Sequence, residues 1–349
     1  MNKYYFRFYR EKVNHAGSKA VDDCESILRS LGYKEIPLFE RHKSVIVKAI
    51  LRLCEIPRIL IMKRGAFVFI EHPIYTHRDY FKTLGFIKRF KKLKYAFIIH
   101  DLESARRILP NNEFRAKRDY LMYEMADCMI CHNSSMHRFL VNSGVVDRKI
   151  IDLECFDYLV NSNAEINTDN KPDENGIVIV GNLGRQASEF IYELSKTNHK
   201  MQLNLYGVNF DASEKGNYNY VGSFDADVLP SVICGKYGLI WYGSSLTDCG
   251  GDYKEYLPYI NPHKVSCYVV AGLPVIISRN IGMAEFVKQH GIGIVVDSIE
   301  NLQEVVNSIT EEQYQRMKKN VDALAEKLKA GYYLKTAISQ CERIVGEIE

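Results

Sequence analysis

Short β-rich runs alternate with longer helical patterns along this chain, and this alternation limits the fold more than any other feature of the sequence. Strands that alternate with helices form parallel sheets with crossover connections. The predicted strands of the first half are 4–9, 34–37, 66–71, 95–100, 128–131 and 149–153. In the second half, strands within GIVIVGNLG and at 201–206, 237–242, 274–278 and 292–296 alternate with helices at 186–196, 226–234, 263–271, 282–290 and 311–347. The sequence therefore predicts an α/β protein.

The length of the chain predicts two domains. At 349 residues it is longer than one ordinary core. Residues 161–175 are polar and interrupted by Pro172, which is typical of a linker. We therefore expect an N-terminal Rossmann-like domain over 1–160 and a C-terminal one over 176–330, facing each other across a cleft.

Composition excludes several classes of protein. The net charge of +3 gives no reason to expect a nucleic-acid partner. No uninterrupted apolar run is long enough to cross a bilayer, and the N-terminus lacks an apolar signal core. Nine cysteines without framework spacing indicate a reducing compartment. We expect a cytoplasmic protein whose surface permits homo-oligomers.

A basic run, residues 88–94, lies beside three aromatic residues, Phe81, Phe86 and Phe90. Such a run is typical either of a peripheral contact with anionic lipid or of a solvated helix face. If it contacts a membrane, a lipid-linked substrate is favoured.

Two turns of the first half carry candidate catalytic groups. After strand 1, His15 can titrate near neutral pH, Gly17 permits close backbone approach, and Ser18 suits a helix N-cap. His100 and Asp101 follow strand 95–100, where a histidine beside a carboxylate suits a general base. A plain loop at the first turn and a helix-entry cap at the second are the alternatives.

The turn after the first strand of the second half is GNLGR, residues 181–185. Its glycines allow a ligand to approach the backbone, beside Asn182, and Arg185 offers a forked, permanently charged donor to phosphate oxygens. An ordinary surface arginine is the alternative reading.

A second cation, Lys264, lies at the N-terminus of a predicted helix, within the stretch INPHKVSCYVVAGLP. Asn261 and Lys264 flank Pro262, a residue that suits the first turn of a helix. A lysine in that turn faces the positive end of the helix dipole, which is unfavourable unless an anion is present. With Glu285 at the start of the next helix, able to accept hydrogen bonds from ribose hydroxyls, the set predicts a nucleoside diphosphate site.

A literal D-x-D at Asp225 and Asp227 raises the question of a metal. Acidic residues also suit the first turn of a helix. Because Arg185 and Lys264 can neutralise a diphosphate, we expect no metal here.

At these residues the sequence resembles the GT-B glycosyltransferases. More narrowly, it resembles the bacterial group that holds galactofuranosyltransferase-like enzymes and the glucosyltransferases that extend O-linked GlcNAc on serine-rich adhesins. The stretches that carry the resemblance are NHAGSKAVDD, IHDLESAR, CHNSSMHRFL, VGNLGRQ, YINPHKVSCYVVAGLPVIIS and GMAEFV.

The resemblance implies the GT-B fold, with a UDP-sugar bound mainly by the C-terminal domain, an acceptor on the N-terminal one, and no metal or cofactor beyond the donor. It also implies that residues 331–349 cross back onto the first domain. The resemblance implies that Arg185 and Lys264 bind the diphosphate, Asn261 the sugar or phosphate, and Glu285 the ribose. It also implies that Tyr206 lies near the nucleotide. Gly17, Ser18 and Lys19 would close over the donor from the opposite domain. Many retaining members carry two glutamates eight residues apart. Ile277 stands at the first of these positions, so retention or inversion stays open.

The function expected is transfer of a hexosyl group (glucose, galactose or galactofuranose) from a UDP-sugar to a hydroxyl of a glycan, glycopeptide or lipid-linked saccharide. A UDP-sugar epimerase shares the architecture but needs no acceptor. A non-catalytic partner subunit of a transferase complex would be expected to lose the phosphate-binding cations, which this chain keeps.

Overall fold

The computed structural model describes residues 1–8, 16–38, 45–74, 79–106, 112–160, 172–197, 200–211, 213 and 216–347. The chain divides into two compact units. The first comprises Met1–Val13, Val21–Leu153 and Leu334–Glu349, and the second comprises Asn14–Ala20 and Glu154–Tyr333. His15, one predicted catalytic residue, lies outside the described residues, as does the predicted linker except for 172–175.

The first unit is built on a six-stranded parallel sheet with the order β2-β1-β3-β4-β5-β6. The elements up to the end of this sheet are β1 (Lys3–Phe8), α1 (Ala16–Ser30), β2 (Lys34–Leu38), α2 (Val45–Ile61), β3 (Phe67–His72), α3 (Asp79–Lys91), β4 (Lys94–Ile99), α4 (Glu103–Arg106), α5 (Asn112–Met125), β5 (Cys128–Cys131), α6 (Ser134–Asn142) and β6 (Ile150–Asp152). Strand β3 is buried along its whole length, as expected when helices cover both faces of a parallel sheet.

The second unit repeats this plan with the order β12-β11-β10-β7-β8-β9, again with parallel pairing. Its elements are β7 (Ile177–Asn182), α7 (Arg185–Lys196), β8 (Leu203–Val208), β9 (Tyr218–Gly222), α8 (Leu229–Val232), β10 (Tyr237–Ile240), α9 (His263–Val270), β11 (Val275–Ser278), α10 (Ala284–His290), β12 (Gly293–Val296), α11 (Leu302–Asn307) and α12 (Glu311–Lys329). The chain ends with α13 (Tyr332–Gly346). The α/β prediction with doubly wound parallel sheets is confirmed.

Several details differ from the sequence predictions, among them three in the second half of the chain. Strand β9 has no predicted counterpart, and α8 is shorter than the helix predicted at 226–234. The single helical region predicted at 311–347 is two helices, because Gly331, with φ +71°, takes the left-handed conformation between them.

The last helix belongs mainly to the first unit. Glu342 of α13 accepts a hydrogen bond from Tyr33 Oη at 2.6 Å. The same carboxylate forms an ion pair with Lys3 Nζ at 2.6 Å. Cys341 Sγ lies 2.8 Å from Cys128 Sγ, and both thiols are buried and free. Among the described residues, no helix is long and apolar enough to cross a membrane.

Candidate functional site

The carboxyl ends of β7 and β8 approach each other unusually closely. Gly181 is paired with Gly207, where an added Cβ would lie 1.8 Å from the Gly181 carbonyl oxygen. Gly181 itself has φ +114°, and a Cβ there would lie 3.2 Å from Cε of Lys264. A side chain at position 181 would therefore crowd Lys264 and would also need a backbone conformation that favours glycine.

Lys264 is the second residue of α9, which begins at His263 after Pro262 as its N-cap. The side chain is only partly exposed, and its Nζ lies 5.1 Å from the centroid of the Tyr242 ring. Among the residues that the structure describes, no carboxylate forms an ion pair with it. Burial lowers the pKa of Lys264 to about 8, although nearby Cys249 and Cys267 act in the opposite direction.

These features make Lys264 an incompletely compensated cation. Its neighbours are an aromatic face and the positive end of a helix, and neither supplies negative charge. Taking a charged group out of water is unfavourable unless a counter-charge is present. The position therefore favours an anionic ligand at the carboxyl end of β7.

Arg185 occupies the first position of α7, after Gly184 as N-cap, but it already has acidic partners. Its Nε lies 3.1 Å from Asp211 Oδ2 and its Nη1 lies 2.9 Å from Glu189 Oε1. Hydrogen bonds from Ser213, together with Arg185, lower the pKa of Asp211 to about 2. Arg185 is therefore held by carboxylates in this structure, in contrast to Lys264.

Asn182 shapes the turn between β7 and α7. Its Oδ1 accepts hydrogen bonds from the Gly184 N–H at 3.1 Å and from Asn209 Nδ2 at 3.1 Å. The side chain thus holds the glycine turn in place beside Gly181.

Two predicted binding residues are buried and bonded to the backbone. Asn261 is 4% exposed, and its Nδ2 donates to the carbonyl of Glu154 at 2.9 Å. Tyr206 is 1% exposed, and its hydroxyl accepts from the Cys234 N–H at 3.0 Å. Glu285, by contrast, is exposed in the first turn of α10, and Gln289 Nε2 donates to it at 3.2 Å.

The start of α1 differs from its prediction. The helix includes Ala16, so Gly17 and Ser18 lie within its first turn, and Ser18 is not its N-cap. Lys19 is buried, and its Nζ lies 2.7 Å from Asp227 Oδ1 and 2.6 Å from the Leu159 carbonyl oxygen. Both partners and Lys19 belong to the second unit, whereas the prediction placed residues 17–19 on the opposite domain.

The D-x-D sequence forms a turn before α8. Asp225 Oδ1 accepts the Asp227 N–H at 3.0 Å, while the Asp227 carboxylate pairs with Lys19. The expected acidic helix start is therefore a turn, and α8 begins later, at Leu229.

In the first unit, the structure pairs His100 with a carboxylate that the sequence places on another strand. His100 Nε2 lies 3.7 Å from Oε2 of Glu71, while Asp101 pairs with Arg106 Nη1 at 3.7 Å. His100 is 13% exposed at its side chain, so it sits near the surface at the carboxyl end of β4. An imidazole next to a carboxylate can accept a proton and keep a fixed orientation.

The groups around His100 are more deeply buried. His72 Nε2 lies 2.7 Å from Asp119 Oδ1, and His132 Nε2 lies 3.0 Å from the Ile99 carbonyl oxygen. Burial, and then the charge of His100, lowers the pKa of His132 to about 3, so His132 stays neutral at physiological pH. The backbone N–H of His100 donates to the His72 carbonyl oxygen at 2.7 Å, which fixes the backbone of His100 beside β3.

Two clusters of the described residues bring potential metal ligands within 4.8 Å of one another. They are Cys24, Glu71 and His100, and Cys131, His137 and Asp152. His137 is already bonded to Asp152 at 2.6 Å and to Asp147 at 3.0 Å. Neither cluster coincides with the predicted diphosphate site.

Sequence reasoning did not find Tyr242 or His132 as site residues, although it placed the stretch EHPIY, which begins at Glu71, beside His100. Each follows or ends a strand at its carboxyl end, and that position is the signal that points to them. Their pairing with Lys264 or His100 depends on strand order, which no local pattern encodes.

The sequence matches the family described as "Glucosyltransferase 3-like", with its N-terminal domain over residues 2–155 and its C-terminal domain over 177–341. Beta-1,6-galactofuranosyltransferase WbbI of Escherichia coli (strain K12) is 32% identical over 268 residues, which cover 75% of this chain and 76% of the relative. Glucosyltransferase 3 of Streptococcus gordonii is 25% identical over 277 residues, 78% of each chain.

Solved structures share the fold. Anabaena Alr3699/HepE in complex with UDP and glucose gives a TM-score of 0.60 at 9% identity, covering 100% of this chain and 99% of the other. WaaG, a glycosyltransferase involved in lipopolysaccharide biosynthesis, gives 0.57 at 11% identity, covering 95% and 98%. The GT-B prediction is confirmed.

Proposed function

Because the chain belongs to the glucosyltransferase 3-like family, we propose that it is a glycosyltransferase that moves a hexosyl group from a UDP-sugar to a hydroxyl of a glycan, glycopeptide or lipid-linked saccharide. The two relatives are named for the transfer of galactofuranosyl and glucosyl groups. One structural neighbour was solved in complex with UDP and glucose.

The observation that carries the proposal is the cation of Lys264 at the start of α9. When a sugar leaves a nucleotide, negative charge builds up on the diphosphate. A cation and helix N–H groups fixed in advance stabilise that charge most in the transition state. Lys264 and α9 provide both, beside the glycine turn of β7.

Arg185 is the second cation of the proposed site. Its guanidinium now binds Asp211 and Glu189, so a diphosphate must compete with these carboxylates for its donors. We assign Glu285 to the ribose, since it is exposed and able to accept hydrogen bonds. Asn182 and Asn261 hold backbone groups of the adjoining turns, and Tyr206 is buried on β8 with its hydroxyl bonded to the Cys234 N–H.

Residues 17–19 are assigned a supporting role beside the donor. Gly17 and Ser18 lie in the first turn of α1, whose N–H groups favour an anion. The charge of Lys19 is balanced by Asp227, so we assign it to fixing this helix start and not to holding the diphosphate.

The group proposed to activate the acceptor hydroxyl is His100, whose Nε2 lies 3.7 Å from the Glu71 carboxylate. Asp101 is the weaker candidate because Arg106 occupies its carboxylate. We expect His100→Ala to reduce kcat about 100-fold or more, as is typical when a general base is lost, with a smaller effect on donor binding. His137→Ala is the matched control, since that histidine also pairs with a carboxylate in the first unit.

A divalent metal is not required in this proposal, because Arg185 and Lys264 supply positive charge to the diphosphate. Transfer should therefore persist in EDTA, and Asp225→Asn should leave activity nearly unchanged. Loss of activity in EDTA that Mg²⁺ or Mn²⁺ restores would contradict this part of the proposal.

The compartment proposed is the cytoplasm, where thiols stay reduced. All nine cysteines are free, and most of them are buried. The proposed nucleotide site requires neither a homo-oligomer nor contact with a membrane.

The proposed function is tested by donor turnover. The protein is incubated in EDTA with UDP-glucose, UDP-galactose or UDP-galactofuranose and a mixture of simple glycosides, and released UDP and new disaccharides are measured. Transfer to a glycoside supports the proposal. A changed sugar on UDP without any acceptor would indicate an epimerase, and binding of UDP without turnover of any donor would favour a non-catalytic partner.

A further inference from the structure

Helix α2 of the first unit presents apolar side chains to solvent. Leu53, Ile56 and Leu60 follow one another at spacings of three and four residues, so they line one face of the helix. They are 64%, 47% and 55% exposed, and Ile61 at the end of the helix is 74% exposed. Scattered exposed apolar residues are normal, but a contiguous row of large ones marks an interaction surface.

Helix α3 extends this surface. Phe86 and Phe90 are 69% and 56% exposed, and their rings stack with centroids 6.0 Å apart and an interplanar angle of 7°. Lys91 Nζ, at the end of α3, donates to the carbonyl oxygens of Leu60 and Met62, which places the ends of the two helices side by side. Right-handed crossovers also place both helices on the same face of the sheet. We call the exposed residues of the two helices the α2–α3 surface.

The charge of the two segments that form the α2–α3 surface is predominantly positive. Residues 45–65 and 79–94 contain eleven lysines and arginines but only two acidic residues, Glu55 and Asp79. Glu55 is buried and accepts a hydrogen bond from Tyr80. The exposed basic side chains are Lys63, Arg64, Lys82, Arg89 and Lys92. Within the part of the chain that the structure describes, none of these five forms an ion pair.

We propose that the α2–α3 surface docks on an anionic lipid bilayer. Leu53, Ile56, Phe86 and Phe90 would enter the boundary between headgroups and acyl chains, while the basic residues contact lipid phosphates. Amphipathic helices with bulky apolar residues and flanking lysine or arginine bind membranes in this way. The excess of lysine and arginine over acidic residues in these two helices matches a uniformly anionic layer.

Two residues of this region, Phe81 and Lys88, differ from what the sequence predicts. Phe81 is buried, 2% exposed, and belongs to the core and not to the surface. Lys88 pairs with Asp127 at 2.7 Å, so its charge is compensated. The apolar part comes instead mostly from α2, which the sequence analysis did not predict.

The test is co-sedimentation of the full chain with vesicles. Phosphatidylcholine vesicles are compared with vesicles that also contain phosphatidylglycerol, at low and high salt. We expect binding to the anionic vesicles only, weakened by salt because the Debye length shortens. Binding should fall about tenfold or more in Phe86→Ser/Phe90→Ser and in Arg89→Glu/Lys92→Glu.

Matched controls change the same chemistry elsewhere in the first unit. Val141→Ser/Val146→Ser removes exposed apolar groups near the β6 edge, and Arg138→Glu/Arg148→Glu makes the same change of charge there. Both controls should bind vesicles as the wild type does. Equal losses in surface and control variants, or no binding by the wild type, would overturn the proposal.

A second copy of the chain is the alternative occupant. Light scattering should give the same mass for the wild type and for Phe86→Ser/Phe90→Ser. A dimer that this variant dissociates would overturn the lipid proposal. Circular dichroism and UDP binding should be unchanged in every surface variant, which separates loss of docking from loss of folding or of nucleotide binding.

Discussion

Among single residues, Lys264 is the strongest indication of the nucleotide site. Its charge is unfavourable in the free protein and is compensated only when an anionic ligand binds. Its pKa of about 8 is below the ordinary value of 10.5, so folding favours its neutral form. The cost is fully present below pH 8. It falls as pH rises toward 10.5 and is absent above that, because the unfolded chain then also carries a neutral lysine.

The first prediction concerns stability. Lys264→Met should stabilise the free protein at pH 7 by up to about 3 kcal/mol, since it removes a poorly solvated charge and keeps the apolar volume. The gain over wild type should shrink between pH 8 and pH 10.5, as measured by urea unfolding at several pH values. A gain that stays constant across that range would contradict the assigned pKa.

The second prediction concerns Arg185. Asp211→Asn removes an exposed carboxylate that competes with the diphosphate for Arg185, so UDP should bind at most a few-fold more tightly. Asp297→Asn is the matched control, because Asp297 also pairs with an exposed arginine, Arg279, at 2.6 Å. Calorimetry with UDP measures both variants. Weaker binding in Asp211→Asn alone would mean that Asp211 orients Arg185 for the ligand.

At the scale of elements, the strand ends decide where ligands can approach. Gly181 was recognisable from the sequence as part of a glycine turn. Its tight contact with Gly207 was not, because it depends on β7 and β8 being neighbours. The ion pair of Lys19 with Asp227 escaped prediction for the same reason, since the two residues lie far apart in sequence.

The third prediction tests the glycine turn. Gly181→Ala should weaken UDP binding about tenfold or more, because its Cβ would lie 3.2 Å from Cε and 3.5 Å from Nζ of Lys264 and displace that side chain. Gly144→Ala is the control. Gly144 also has a positive φ, +91°, but an added Cβ there meets no atom within 4 Å. Both variants should lose stability through backbone strain, and only Gly181→Ala should lose UDP affinity.

At the scale of the whole molecule, alternating strands and helices were enough to predict two parallel sheets. Most predicted strands begin or end within two residues of the observed ones, because buried parallel strands are continuous apolar runs. Helix α2 was missed, since Pro57 lies inside it and its exposed face is apolar. Residues 334–349 group with the first unit, and a local pattern does not reveal which sheet they join.

The fourth prediction concerns this last segment. Glu342→Ala should destabilise the first unit by about 1–3 kcal/mol, because it leaves the buried hydroxyl of Tyr33 and the amine of Lys3 without their acceptor. Glu347→Ala, an exposed residue at the end of α13, should change the unfolding midpoint little. Equal midpoints for the two variants would contradict the anchoring role of Glu342.

We propose that Lys264 binds the diphosphate of a UDP-sugar, and calorimetric titration with UDP in EDTA measures how much of the affinity depends on this cation. Wild type and Lys288→Ala, which removes an exposed lysine of the same unit, should bind UDP equally. Lys264→Ala should bind it about 10- to 100-fold more weakly, as expected for the loss of a charge-assisted contact, while its weak affinity for uridine stays unchanged. Equal UDP affinity in Lys264→Ala and Lys288→Ala would contradict the claim.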